Sequence, residues 1–124
     1  MAKTTELAKM KMAQRKCAPC EGGTKSLTRD QAQKLLKEVP AWRISPDGKS
    51  IRIEYTLKNF MSGVKLINEI ARVAEGDNHH PDLHLVSYRK LQVVLATHAV
   101  GGLSENDFIL ASKIDELPKE TKAS

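Results

Sequence analysis

Residues 42–57 read WRISPDGKSIRIEYTL and contain a complete pattern for a β-hairpin. Apolar and polar side chains alternate on both sides of Pro46-Asp47-Gly48-Lys49, and these four residues have the chemistry of a turn. Because side chains alternate across a strand, the apolar ones share one face of the hairpin. The pattern therefore predicts two antiparallel strands that pack against a second layer through that face.

Helical patterns flank the hairpin. After Lys58 the apolar spacing changes to about 3.6 residues, which predicts a helix that runs to about Glu75. Before the hairpin, Thr28 occupies the position of an N-cap, and Pro40 ends the predicted first helix. Helices can therefore cover the apolar face of the hairpin.

The rest of the chain repeats this order. Short strand patterns span residues 82–86 and 91–97, and Ser104 caps a third predicted helix that ends near Glu116. The order is α-β-β-α-β-β-α, which predicts an α+β fold with three helices on one face of a four-stranded antiparallel sheet. The open edges of so small a sheet lead us to expect a dimer.

The composition fits one compact domain. The chain has 124 residues, of which 40% are hydrophobic, enough for one modest core. We predict a domain over residues 26–118, a basic arm over residues 1–25 and a polar tail over residues 119–124. No apolar run is long enough to cross a membrane, and the first residues lack the apolar centre of a secretory signal. We therefore expect a soluble, cytoplasmic protein without a membrane partner.

Most of the positive charge lies in the arm. Residues 1–25 hold six Lys or Arg and two Glu, whereas the net charge of the whole chain is +5. The body is thus nearly neutral, and aromatic residues make up only 4%, which argues against a nucleic-acid partner. We expect the arm to be a solvated, partly helical tail, with an organellar transit peptide as the alternative.

Cys17 and Cys20 form a single CxxC motif within the arm. Such a motif supplies half of the ligands of a structural zinc site, and no second pair occurs in the chain. A redox-active CxxC motif is expected to follow a strand, and no strand pattern precedes this one. The sequence therefore favours a loop without chemistry at this place.

Three histidines stand where predicted elements end. His79 and His80 follow the long helix in Asn-His-His-Pro, and His98 follows the last strand and precedes Gly101-Gly102. Histidine both accepts and donates protons near neutral pH, so a cluster around one small molecule suggests an acid and a base. The adjacent side chains of His79 and His80 can enter one pocket only if the backbone bends there. The glycines after His98 would allow the backbone to approach a ligand closely.

Each histidine also has a plainer interpretation. A histidine at a turn is often solvated, and His84 alternates with Leu83 and Leu85 on a strand, which favours a surface or sheet-face role. A zinc site with Glu75 as a fourth ligand is a further alternative, although adjacent histidines differ from the usual ligand spacing. We expect no metal, and the pattern alone leaves a reactive site and a structural role both open.

Three separated segments resemble the signature of the pterin-4a-carbinolamine dehydratase family. They are Glu75–Asp82, Thr97-His98 and Gly102–Phe108, and the resemblance extends from about Leu27 to Asp115. The element order agrees with that family's fold. The arm around the CxxC motif is similar to that of a longer plant and bacterial branch.

The resemblance implies loss of water from a 4a-hydroxytetrahydropterin, which yields a quinonoid dihydropterin during pterin cofactor recycling. By position, His79 and His98 resemble an acid–base pair, and His80 resembles the residue that binds or orients the ring. Three further positions match acidic or neighbouring positions of the family site and are expected to contact the substrate: Glu75, Pro81 and Asp107.

The resemblance implies neither a metal nor an organic cofactor. The expected partners are a small-molecule pterin and further copies of the chain, in a homodimer or homotetramer. Asp107 also has a structural interpretation, because a carboxylate three residues after Ser104 can complete a helix cap.

The family also contains proteins that act by binding. Animal relatives are dimerisation cofactors of transcription factors, and some bacterial relatives encoded with carboxysome proteins resemble Rubisco assembly factors that lack dehydratase activity. This chain departs from the family pattern at Arg89, where asparagine is common, and at Ala96, where the long branch often has an aromatic residue. The alternative is therefore a catalytically inactive protein whose partner is Rubisco or another protein.

Overall fold

The structure, a computed structural model, describes residues 12–14 and 25–122. Within these residues the chain forms three α-helices and four strands in the predicted order, which confirms the α+β fold class. The helices are α1 (Arg29–Leu36), α2 (Phe60–Asp77) and α3 (Glu105–Glu116). The strands are β1 (Arg43–Ile44), β2 (Ile51–Thr56), β3 (Asp82–Val86) and β4 (Lys90–Leu95).

The four strands form one antiparallel sheet in the order β1-β2-β4-β3. The register places Ile53 opposite Val93, and Val93 opposite Leu83, so apolar side chains of three strands form rows on one face. Helices pack on that face: a Cβ atom added to Gly63 of α2 would lie only 2.9 Å from Leu85 Cδ1 of β3. The expectation of helices on one sheet face is confirmed.

The helix α1 begins at the predicted N-cap, Thr28, which forms a capping box with Gln31. Gln31 N–H donates to Thr28 Oγ1 at 3.2 Å, and Thr28 N–H donates to Gln31 Oε1 at 2.9 Å. The helix ends at Leu36, before Pro40. Hydrogen bonds between residues three apart, such as Val39 N–H to the Leu36 carbonyl, continue the chain in a 3-10-like turn.

Both ends of α2 differ by two residues from the expected ones. Asn59 is its N-cap and accepts a hydrogen bond from Ser62 N–H at 2.8 Å, so the helix begins at Phe60 instead of near Lys58. At the other end, Asn78 adopts the left-handed conformation with φ 50°, which turns the chain sharply after Asp77.

Side chains from every layer meet between the sheet and the helices. Trp42 is almost fully buried, and its Nε1–H donates to Asp115 Oδ1 at 3.0 Å; the Tyr55 hydroxyl donates to the same oxygen at 2.8 Å. Burial, reinforced by the bond to Asp115, raises the pKa of Tyr55 well above its usual range. The largest fully buried apolar side chains include Phe108, Ile51, Leu57, Leu66, Ile70, Leu91, Leu95, Leu103, Leu110 and Ile114.

One described turn of the arm contradicts the expected solvated tail. Met12–Gln14 form a 3-10 turn that packs on α3, and Met12 is buried in the hydrophobic core. Burial removes the apolar Met12 side chain from water, which stabilises the docked position of this turn. Cys17 and Cys20 lie outside the described residues.

The last described residues of the predicted tail pair with the main domain. Lys58 N–H donates to the Glu120 carbonyl at 2.8 Å, and Lys122 N–H donates to the Thr56 carbonyl at 3.0 Å. Residues 119–122 thereby lie along the end of β2. Among the described residues, none of the helices combines the length and apolar character that crossing a bilayer requires.

Candidate active site

Asp107, in the first turn of α3, collects hydrogen bonds from two distant parts of the chain. Its carboxylate is fully buried, and Oδ1 lies 2.7 Å from His79 Nε2. Oδ2 accepts from the Thr97 hydroxyl at 2.8 Å and from Ser104 N–H at 3.0 Å. The end of α2, the end of β4 and the start of α3 therefore meet at one carboxylate.

These contacts determine which nitrogen of His79 is available for chemistry. A carboxylate accepts hydrogen bonds, so Nε2 of His79 carries the hydrogen and Nδ1 is left to exchange a proton with a ligand. The ring is mostly buried, with 11% of the side chain exposed, and this limits its rotation. The same carboxylate can balance positive charge on the ring, as in other histidine–aspartate pairs.

The geometry at the end of α2 directs His79 toward Asp107. Asn78 N–H donates to the Glu75 carbonyl and His79 N–H to the Ala74 carbonyl, the two bonds of a Schellman motif. One residue before this turn, Asp77 accepts a 2.5 Å hydrogen bond from Lys113 Nζ of α3, and both side chains are largely buried. The ion pair attaches the end of α2 to the helix that carries Asp107.

His80 has a different environment from its neighbour. Its Nε2 lies 2.6 Å from Glu75 Oε1, and 55% and 77% of the two side chains are exposed. An exposed hydrogen-bonded contact of this kind contributes little to stability, so both groups are available to a ligand. The expected backbone bend lies at Asn78, and Pro81 follows with a half-buried side chain.

His98 is the first residue of a second 3-10 turn, His98–Val100, and it is exposed. The turn belongs to a loop closed by Thr97 N–H, which donates to the Gly102 carbonyl at 2.7 Å. Because Thr97 itself binds Asp107, the backbone of His98 is attached to the group that holds His79. Among the described residues, no hydrogen bond or ion pair joins the His98 ring to His79 or His80.

The two glycines after His98 have different surroundings. Gly101 has φ 69°, which favours glycine, and a Cβ atom on Gly102 would lie 3.1 Å from the Ser26 Cβ and 3.9 Å from the Lys49 Cα. The close approach of Gly102 is to other parts of the chain, and the expected approach of the backbone to a ligand stays a prediction.

Other residues were placed only by the structure. The pairing of Asp77 with Lys113 has no sequence signal, because 36 residues separate them. Thr97 was noted as part of a motif, but its contact with Asp107 was not predicted.

His84 is exposed on the uncovered sheet face opposite Gln92, which confirms the expected surface role. Within residues 12–14 and 25–122, no group of three or more His, Cys, Asp or Glu could hold a metal ion.

The stretch of chain that carries this candidate site is similar to a known family of proteins. Residues 25–117 match the family described as pterin 4 alpha carbinolamine dehydratase. The chain belongs to this family, which confirms the resemblance seen in the three segments.

Individual relatives agree with this membership. The protein named pterin-4-alpha-carbinolamine dehydratase 2, mitochondrial, of Arabidopsis thaliana is 39% identical over 112 residues, which are 88% of this chain and 60% of that protein. A relative from Halorhodospira halophila is 39% identical over 108 residues, 87% of this chain and 98% of its own length.

A solved structure shares the fold. The crystal structure of a transcriptional coactivator/pterin dehydratase from Brucella melitensis superposes with a TM-score of 0.68 and 26% identity. The similarity covers 73% of this chain and 96% of that one.

Proposed function

We propose that this chain removes water from a 4a-hydroxytetrahydropterin to form a quinonoid dihydropterin. Membership of the family supports the class of reaction. The observation that carries the proposal is the contact of His79 with the buried Asp107, because it gives the end of α2 an oriented imidazole with one free nitrogen.

The reaction needs one acid and one base. The bond between C4a and the hydroxyl oxygen breaks, the oxygen takes up a proton and leaves as water, and N5 of the ring loses its proton. The two proton transfers balance, so no oxidant, reductant or metal is required. Two histidines with different environments suit these opposite roles.

In the proposal His79 and His98 are the acid–base pair. His79 is suited to accept the ring proton, since Asp107 holds Nε2 and can balance the charge that the ring acquires. His98 is exposed beside Thr97 and is suited to donate a proton to the leaving hydroxyl. The remaining groups would contact and orient the pterin: His80, Glu75, Pro81 and Asp107.

Stopped-flow measurement of carbinolamine dehydration tests this proposal. We expect His79→Ala and His98→Ala each to lower the rate by about 100-fold or more, the range of general acid–base catalysis. His84→Ala is the matched control, because this histidine is exposed on the other face of the sheet and should change nothing. A wild-type rate no faster than the spontaneous reaction would contradict the proposal.

The proposed binding role of His80 has a separate signature. His80→Ala and Glu75→Gln should raise KM more than they lower kcat, because both side chains are exposed and are joined by one hydrogen bond. A loss confined to kcat would instead assign proton transfer to His80.

The proposal includes no metal or organic cofactor and assigns the reaction to the cytoplasm. Dialysis against a chelator should leave the dehydration rate unchanged. A loss that zinc restores would support the metal alternative, in which Glu75 joins the histidines as ligands.

We also propose that the chain forms a homodimer or homotetramer. Within the described residues no strand pairs with the outer edge of β3, and four large apolar side chains are exposed: Phe60, Met61, Val86 and Tyr88. Sedimentation at several protein concentrations measures the assembly, and a monomer at every concentration would contradict it.

The alternative is a binding protein of the same fold. If dehydration is absent, co-purification with the Rubisco large subunit, or assisted assembly of that enzyme, would support an assembly factor of the carboxysome type. If neither co-purification nor assisted assembly is observed, the remaining alternative is a different protein partner.

A further inference from the structure

The uncovered face of the sheet contains a groove beside β1. The strand β1 pairs with only two residues of β2, Ile51 and Arg52. From Ile53 to Tyr55, β2 therefore has no neighbouring strand on the side of β1. The groove at this step has a volume of about 570 Å³, and its polar lining includes Arg43, Arg52, Glu54 and Gln92.

The two arginines of the groove stand directly opposite each other. The register pairs Arg43 of β1 with Arg52 of β2, and directly paired residues lie on the same sheet face. Both are exposed, on the face away from the helices, since the next pair in the register, Ile44 with Ile51, faces the core. Like charges directly opposite each other destabilise a pair of strands unless a counter-charge lies between them.

No described carboxylate forms an ion pair with either arginine. Neither arginine forms an ion pair or a side-chain hydrogen bond with another described residue, whereas Arg72 on α2 pairs with Glu69 at 3.2 Å. Glu54 follows Arg52 on the same face, but its Oε1 accepts from Gln92 Nε2 at 3.1 Å. The two guanidinium groups therefore face the groove without an ion-pair partner among the described residues, with the Glu54 carboxylate beside them.

We propose that this groove binds a small anionic ligand through Arg43 and Arg52. Each guanidinium has a planar fork of donors that matches the oxygens of a phosphate or a carboxylate, and two forks on adjacent strands can hold one anionic group. Glu54 and Gln92 offer acceptors and donors to hydroxyl or amino groups on the rest of the ligand. The chemical class is a phosphorylated or carboxylated small polar molecule.

This site is separate from the proposed dehydratase site. Asp107 and His79 lie at the helical side of the sheet, whereas the arginines lie on the face that the helices leave uncovered. Binding in the groove does not depend on the proposed reaction, and either can fail while the other holds.

Calorimetric titration with inorganic pyrophosphate and with citrate tests the site and separates its two ligand chemistries. We expect one or both probes to bind the full chain, and Arg43→Gln or Arg52→Gln to weaken binding by about tenfold or more, since charge-assisted bonds are lost. Arg72→Gln is the matched control, because it removes the same charge from the helical layer. No binding of either probe, or equal weakening by Arg72→Gln, overturns the proposal.

Thermal unfolding at low salt gives a second measurement without ligand. Relief of the repulsion should raise the melting temperature of Arg43→Gln and of Arg52→Gln, and the double variant should gain less than the sum of the two. Pyrophosphate or citrate should then stabilise the wild type and Arg72→Gln but not the groove variants. A melting temperature that falls in both groove variants, with ligand stabilisation retained, contradicts the assignment.

Discussion

Helix α3 carries two aspartates, eight residues apart, that hold distant parts of the chain in different ways. Asp107 is fully buried and accepts hydrogen bonds from His79, Thr97 and the backbone of Ser104. Asp115 is exposed and accepts from the indole of Trp42 and the hydroxyl of Tyr55. Both attach the sheet to α3 through one carboxylate.

The difference lies in what each carboxylate holds. The donors on Asp115 keep their protons near neutral pH, so this contact can only stabilise the fold. Asp107 holds an imidazole, the one side chain that exchanges protons near neutrality, and buries the contact away from water. Burial together with a titratable donor separates a candidate reactive group from a structural one.

Asp107→Asn should have the largest effect. The amide has one acceptor oxygen, so it cannot satisfy all three donors, and we expect about a 100-fold lower dehydration rate with a loss of about 1–3 kcal/mol in stability. Stopped-flow kinetics and urea unfolding measure the two effects. An unchanged dehydration rate would mean that Asp107, like Asp115, serves only the fold.

Thr97→Val should have an intermediate effect. The change keeps the shape but removes the hydroxyl that donates to Asp107 Oδ2, and the Ser104 N–H and His79 contacts remain. We expect stability to fall by about 1 kcal/mol and the rate by about tenfold or less. Thr56→Val on β2, a half-exposed threonine, serves as the matched control. Equal losses in both variants would mean that the Thr97 hydroxyl has no special role.

Asp115→Ala should affect stability alone. Its removal leaves the buried Nε1–H of Trp42 without its acceptor, which should lower stability by about 1–2 kcal/mol. The dehydration rate of the folded variant should equal that of the wild type. A rate loss comparable to that of Asp107→Asn would show that both carboxylates serve the reaction.

Tyr55→Phe should have the smallest effect, and its distinctive part appears at alkaline pH. Because burial raises the pKa of Tyr55 above its ordinary value of 10.0, the unfolded chain ionises first and stability falls as the pH rises past that value. Burial lowers the pKa of Lys119, whose ammonium lies 5.0 Å from the centre of the Tyr55 ring. This shift makes stability rise with pH, which is opposite in sign to the effect of the tyrosine.

The difference between wild type and Tyr55→Phe therefore isolates the tyrosine. Urea midpoints between about pH 8 and pH 11 should fall less steeply in the variant than in the wild type. Parallel slopes would show that the hydroxyl titrates alike in the folded and unfolded chains.

Sequence reasoning succeeded where partners lie within a few residues. The capping box of Thr28 and Gln31 and the bond from Ser104 N–H to Asp107 join residues three apart, so the local pattern contained both partners. Asn59 was missed although its signal is equally local, because the change of period was read from Lys58 onward. A polar residue just before the first apolar position would have indicated this cap.

The candidate site was predicted only in part. The motif positions named the histidines and Asp107, but which of two adjacent histidines would be buried could not be read from their order. Asn78 decides it, since its left-handed turn directs His79 inward and leaves His80 beside Glu75 at the surface. The docking of Met12 on α3 was not predicted either, because no local pattern in the arm specifies a partner in that helix.

The sequence by itself determined the order of helices and strands, the apolar face of each and most of their ends, because periodicity and capping act over one turn or one strand. Only the tertiary structure decided that Asp107 joins His79 to Thr97, and that Asp77 joins Lys113. These contacts depend on how the packed layers bring separate stretches together, and no local pattern specifies a partner 28 or 36 residues away.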